Sequence, residues 1–182
     1  MYLNLKEGPA FCDRIDGFMS RLGKILAWLN VLLIADIMIQ VVLRYGFGHG
    51  SVVLEETQWH LYAVCIMFGI PYTLVHDSHI RLDVASRKFS DPTKALIEFL
   101  GTLFLLLPFA TVLFIHSLDF VHESWRVGEA SESPMGLPWR WAIKSVIPLS
   151  MGFLCLVSVT RLFRAGAFLL HRGSSRGSHG TE

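Results

Sequence analysis

The sequence predicts an all-α integral membrane protein with four transmembrane helices, both termini in the cytoplasm, and an amphipathic interfacial helix ahead of the first span. Three observations carry this. Hydrophobic residues make up 52% of the 182 residues and charged residues only 17%, against about 25% charged in ordinary soluble domains. Four apolar runs, at about 22–43, 54–75, 95–118 and 141–163, each reach the roughly 20 residues a helix needs to cross the hydrocarbon core. Lys and Arg are divided unevenly between the two sides of those runs.

Only a helix satisfies its own backbone hydrogen bonds in lipid, so each run is read as one helix. Lys6, Arg14, Arg21 and Lys24 make up the N-terminal flank of the first run. Arg81, Arg87, Lys88 and Lys94 lie between the second and third, and Arg161, Arg164, Arg172 and Arg176 close the chain. Those twelve share one side; Arg44, Arg126, Arg140 and Lys144 are on the other. The positive-inside rule assigns the twelve to the cytoplasm. Net charge is only +1, so bulk charge gives no reason to expect a nucleic-acid partner.

Residues 1–21 are expected to form a cytoplasmic amphipathic segment, because Phe11, Ile15, Phe18 and Leu22 recur at helical spacing among polar neighbours. The first run starts late, is long enough to span, and lacks a small-residue cleavage site, so it reads as a retained helix and not a signal peptide. Residues 22–165 then form the membrane domain. Residues 166–182, rich in Gly and Ser, read as a disordered cytoplasmic tail. Cys12, Cys65 and Cys155 match no metal or redox spacing and read as small packing residues.

Polar groups inside a membrane need partners. Asp36, Gln40 and Arg44 recur every four residues and form a winding stripe on the first helix. The reading favoured here is a polar seam against another helix, in this chain or a partner; the sharper alternative is a proton relay through Asp36. Glu55 and Glu56 open the second helix, where acidic groups complement the helix dipole, and Trp59 fits the interfacial belt. One of these carboxylates is a candidate to pair with Arg44 or Arg140 across the helix ends. Gly69, Pro71, Pro108 and Pro148 interrupt the spans and suggest fixed kinks. Between spans three and four, Asp119, Glu123, Glu129 and Glu132 make an acidic outer loop closed by Pro134, Gly136 and Pro138. Neither a metal site nor a cofactor is expected. His79 and Asp83 could share a helical face but offer too few ligands.

Taken in order, Arg44-Tyr45, Glu55-Glu56 with Trp59, Gly69, His79-Ile80-Arg81-Leu82-Asp83, Ser133-Pro134-Met135-Gly136-Leu137-Pro138-Trp139 and Ile147-Pro148 resemble the DctQ-type small membrane subunit of TRAP (tripartite ATP-independent periplasmic) transporters. The resemblance covers roughly residues 20–165. It implies a small permease subunit in a bacterial inner membrane, without enzymatic activity. Its partners would be a large membrane subunit that moves organic acids such as C4-dicarboxylates on a sodium gradient, and a periplasmic solute-binding protein. On this reading Asp36, Gln40, Arg44, Glu55, Glu56 and Trp59 serve the partner-subunit interface or polar seam. His79, Arg81 and Asp83 form a cytoplasmic family motif. Glu129, Glu132 and Trp139 contribute to docking. Asp36 is a departure from the family pattern.

Two other classes compete. One is a haem-bearing membrane anchor of a redox complex using His60 and His116, whose depths along their helices differ by roughly 6 Å where bis-histidine ligation wants one level. The other is a stand-alone efflux pump with Asp36 as its proton site. No inverted repeat or paired broken helices mark a substrate cage in this chain.

Overall fold

The computed structural model describes residues 10–76 and 90–177. Within them the chain is helical apart from short turns, and no strand occurs among the described residues. The order is α1 (Ala10–Gly46), α2 (Val52–Val75), α3 (Asp91–Gly101), a π-helical turn (Thr102–Leu106), α4 (Leu107–Arg126), α5 (Arg140–Lys144) and α6 (Val146–Gly177).

α1 is one unbroken helix of 37 residues. The amphipathic stretch and the first apolar run are therefore continuous, without a turn between them. Its buried positions are Cys12, Met19, Leu26 and Leu33, each seven residues from the next. Ile15, Leu22 and Leu29 are half-buried and, with buried Asp36, complete a second row at the same period. A seven-residue repeat keeps one seam facing a partner helix, and that partner is mainly α2. Phe11 and Phe18, two members of the stripe read from the sequence, are exposed instead, because the seam is set by the heptad and not by the bulkiest residues. Gly23 packs directly under the ring of Tyr72, with no room for a Cβ, whereas nothing stands within 4 Å of a Cβ at Gly17.

The α1–α2 turn is closed by Gln40. Its amide donates to the Ser51 carbonyl at 3.2 Å and its carbonyl accepts from the Ser51 N–H at 3.3 Å. Ser51 is the N-cap of α2 and makes no side-chain cap bond of its own. Gly48, at φ +71°, supplies the left-handed backbone that lets the chain reverse.

α3, the π turn and α4 form a second continuous rod. Its buried residues are Ala95, Thr102, Ala110, Ser117 and Ser124. Three of the four steps between them are seven residues, and the step across the π turn is eight. A π turn carries one extra residue, so the seam keeps its direction through the insertion. The cause lies just beyond it. The ring of Pro108 would press on the carbonyl four residues back in a regular helix, and the wider turn, bonded from Leu107 N–H to the Thr102 carbonyl, makes space.

α6 is the centre of the bundle, packed against α4, α2, α3 and more lightly α1. It buries Met151, Leu154, Val157 and Ala165 together with Ser150, Ser158, Thr160 and Arg161. Small and hydroxylated residues let helices approach closely in a membrane. Ser158 and Thr160 satisfy their hydroxyls on the Leu154 and Val157 carbonyls at 2.7 and 2.8 Å, while Ser150 donates across to the Met67 carbonyl of α2. Gly152 brings Phe114 close enough that a Cβ would sit 3.3 Å from the ring. Around Ala110, Met151 and Leu154 gather Met67, Ile70, Leu74, Leu106, Phe114, Ile147 and Cys155, an apolar plug across the middle of the bundle.

Among the described residues, three helices are long and apolar enough to cross a membrane: Phe11–Gly46, Thr93–Arg126 and Arg140–Leu169. α2 has 24 residues, about 36 Å of helix. It is not among the three, because Glu55, Glu56, Gln58 and His60 concentrate polarity in its first turns. α6 runs on as helix through residues read from the sequence as tail, to Gly177; residues 178–182 lie outside the described residues.

The close approach at Gly23 sets a matched pair of outcomes. Gly23→Ala should destabilise the chain by about 1–3 kcal/mol, the usual overpacking cost, as Tyr72 is pushed off α1. Gly17→Ala should be neutral or stabilising by up to about 1 kcal/mol. Thermal unfolding in mild detergent measures both, and equal effects would contradict the packing described.

Candidate docking ends and polar clasps

Polar side chains gather at the two ends of the bundle, with the apolar plug between them. At the end where α1 begins and α6 ends, α6 supplies two arginines. Arg161 is only 8% exposed. It donates to the Glu98 carboxylate of α3 at 2.5 Å and to the Leu74 carbonyl at the end of α2. A cation on the last carbonyls of a helix satisfies orphan acceptors and complements the dipole, so one side chain ties three helices. Arg164, one turn on, donates to Asp16 at 2.5 Å and Asp13 at 2.9 Å, both on α1. Together the two arginines fasten α1, α2 and α3 to α6.

At the other end, the segment between α4 and α5 folds back over the start of α2. Glu56 accepts from the Ser131 hydroxyl and, at 2.5 Å, from the Leu137 N–H. Ser131 and Leu137 also face one another, the Ser131 N–H donating to the Leu137 carbonyl at 3.3 Å. Gly136 lies so near Ser131 and Glu56 that a side chain there would overlap both. Glu129 pairs with Lys144, with Arg140 at 4.0 Å, and Lys144 also lies 4.0 Å above the Phe120 ring. The Lys144 hydrogen bond holds the Glu129 carboxyl below the usual glutamate range. Trp139 adopts the left-handed conformation at φ +64°, uncommon for a bulky residue, and its ring is 71% exposed. Between the start of α2 and this loop lies a cleft of about 430 Å³, lined among others by Glu55, Trp59, His60, Ser133 and Arg140.

Residues 14–167 match the family described as tripartite ATP-independent periplasmic transporters, DctQ component. The chain belongs to this family. It is therefore a small permease component of a tripartite transporter. No curated protein matches the chain.

Against the residues singled out from the sequence, this DctQ-component chain is arranged as follows. The stripe Asp36, Gln40 and Arg44 divides: Gln40 closes the hairpin, Arg44 is exposed, and Asp36 is 9% exposed in the α1–α2 seam. Asp36 Oδ2 and Gln58 Nε2 are both buried without a hydrogen-bond partner. The antiparallel register, with Gln40 on Ser51 and Gly23 on Tyr72, brings this acceptor and this donor to the same level within about one turn. Asp36 is thus enclosed by its own chain. Neither Glu55 nor Glu56 pairs with Arg44; Glu56 is held by neutral donors of the loop, and Glu55 stays exposed beside it. Trp59 is exposed at the rim of the cleft. Glu132 is exposed as well, but Glu129 is engaged by Lys144. His60 directs Nδ1 to the Glu56 carbonyl at 2.5 Å, and His116 faces outward from α4. His79, Arg81 and Asp83 lie outside the described residues.

Sequence reasoning missed Glu98, Asp13, Asp16 and the pairing roles of Arg161, Arg164 and Lys144. In the sequence the arginines signal topology alone. One signal was available: Glu98 is an acid inside the third apolar run, near the same end as Arg161 in the fourth.

Removing one partner of a buried ion pair strands the other's charge, at a cost of about 3–5 kcal/mol. Arg161→Met should therefore lower stability by about that amount in detergent melts. The double variant Arg161→Met with Glu98→Leu should lose less than the sum of the singles; strict additivity would show the two are not coupled.

The Lys144–Glu129 bond sets a pH dependence. A folded value below the unfolded one means the bond contributes fully above the ordinary glutamate range and is lost as pH falls through the lowered folded value. Wild type should show an acid-side drop in melting temperature that is reduced in Lys144→Met. Superimposable pH profiles would remove Glu129 as the source.

Proposed function

We propose that this chain is the fixed small permease subunit of a bacterial inner-membrane TRAP system, crossing the membrane four times with both termini inside. α2 is the fourth span. Its 24 residues are long enough, it is packed between α1 and α6, and in its polar first turns Glu56 and His60 are hydrogen-bonded at the loop end. The Lys and Arg bias supports the orientation, since in the sequence twelve of the cations flank the start of α1, the α2–α3 connection and the C-terminal part of α6. The first turns of α1 extend beyond the core into the cytoplasmic interface, and the chain's last residues lie in the cytoplasm.

The observation that carries the reading is the apolar plug around Ala110, Met151 and Leu154, with helix ends clasped on either side of it. A packed bundle of this kind offers partners a shaped surface and no route for solute. On this reading the large membrane subunit binds and moves an organic acid, such as a C4-dicarboxylate, in symport with sodium. This chain enlarges the stationary scaffold around it, and the loop end, with Glu132 and Trp139 exposed, meets the solute-binding protein. Asp36 serves the internal seam and not a proton relay.

Vesicles holding only this chain should accumulate no solute, while vesicles holding it with its large partner and binding protein should. In that complete system Asp36→Asn should retain uptake, because an amide still hydrogen-bonds. Glu132→Lys should slow uptake several-fold at low salt and much less at high salt. Solute uptake by the lone chain would overturn the scaffold reading. Uptake abolished by Asp36→Asn with assembly intact would restore the relay.

A further inference from the structure

We propose that the cleft between the start of α2 and the 131–137 loop binds the phosphoethanolamine headgroup of a membrane phospholipid. The inference rests on the membrane reading above and adds a ligand to it.

The charges lining the cleft are unequally spent. Glu56 already accepts one hydrogen bond on each carboxylate oxygen, from the Ser131 hydroxyl and the Leu137 N–H. Glu55 lines the same cleft and is exposed, and no side-chain bond ties it to the described residues. Arg140 makes one ionic approach, at 4.0 Å, to a Glu129 already bonded to Lys144, so most of its five N–H donors remain for a ligand. His60 gives its Nδ1 proton to the Glu56 carbonyl, which leaves Nε2 of the neutral ring as an acceptor. Trp59, 66% exposed, adds a π face that attracts cations.

These groups make a two-signed site. Glu55, His60 and Trp59 suit an ammonium that donates hydrogen bonds. Arg140, with the Ser133 hydroxyl, suits a phosphate. A zwitterion carrying both fits. With two carboxylates and one guanidinium the lining is net negative, which disfavours a headgroup that is itself net anionic. A quaternary ammonium has no N–H for Glu55 and His60. The volume, about 430 Å³, lies within the usual range for small-ligand sites. Val52 and Leu137 line the cleft too and give the glycerol region an apolar wall. A tryptophan at the rim of an apolar helix end marks headgroup depth, so a lipid is the source chosen over a soluble metabolite.

The test is native mass spectrometry of the full chain released from nanodiscs of equal phosphatidylethanolamine, phosphatidylcholine and phosphatidylglycerol. Wild type should retain phosphatidylethanolamine about tenfold over the other two. Glu55→Gln, an exposed change that leaves the fold intact, should lose the preference over phosphatidylcholine. Arg140→Gln should weaken retention of all three lipids. Equal retention of the three by wild type, or an unchanged pattern in Glu55→Gln, overturns the proposal. Saturable binding of soluble O-phosphorylethanolamine without lipid selectivity would assign the site to a metabolite and overturn the lipid assignment. A chain that enters nanodiscs without preference fails only this inference; one that does not enter them fails the membrane reading beneath it.

Discussion

The structure turns on a buried ion pair. Arg161 stands on the central helix with its guanidinium divided between Glu98 of α3 and the Leu74 carbonyl in the last turn of α2. In a low-dielectric interior an unpaired arginine is expensive, and its pairing fixes geometry as much as it contributes energy. Because one planar group meets two helices in fixed directions, α3 does not slide along α6 without stranding a charge, nor α2 without losing a hydrogen bond. Arg164 extends the constraint to α1. The apolar plug beyond these arginines packs in a register they have already set.

The opposite end repeats the logic with a different chemistry. There the loop supplies neutral donors to Glu56 of α2, and its own Glu129 is met by Lys144 of α5, so the loop is tied to α2 and to the α5–α6 junction together. The end that would face partners is shaped by hydrogen bonds from the chain's own backbone, and the left-handed Trp139 is held outward by the turn around it. Fixing both ends matters for a membrane bundle, since lipid supplies no hydrophobic drive for helix–helix association within the core.

Much of the architecture was legible from composition and periodicity. The apolar runs located α1, the α3–α4 rod and α6, and the motif order located the family. Side-chain partnerships were less legible, for a physical reason. Hydropathy weighs each residue by itself, so Glu98 was absorbed into an apolar run and Arg161 into a count of flanking charges. The α1 seam was hidden because the heptad positions are held partly by Cys12 and Met19, while the bulkier Phe11 and Phe18 drew the stripe to another face. The π turn could not be read because its cause, Pro108, lies after it, and only the eight-residue step in the buried row reveals it. The cost of Asp36 is legible in the sequence but its surroundings are not: Gln58, at the same level, belongs to a helix whose register is set by Gln40 at the hairpin turn.

The central claim is that this bundle is a single rigid body while its partners move. Spin labels at Val53 and Leu118, exposed on α2 and α4, and at Ile25 and Leu96, exposed on α1 and α3, would report the separation of helices across the bundle. Pulsed electron-resonance distances in the assembled transporter, with and without substrate and sodium, test the claim directly. The account expects both distributions to stay in place. A shift of one helical turn, about 5.4 Å, in either pair would show the helices moving against one another and would contradict it.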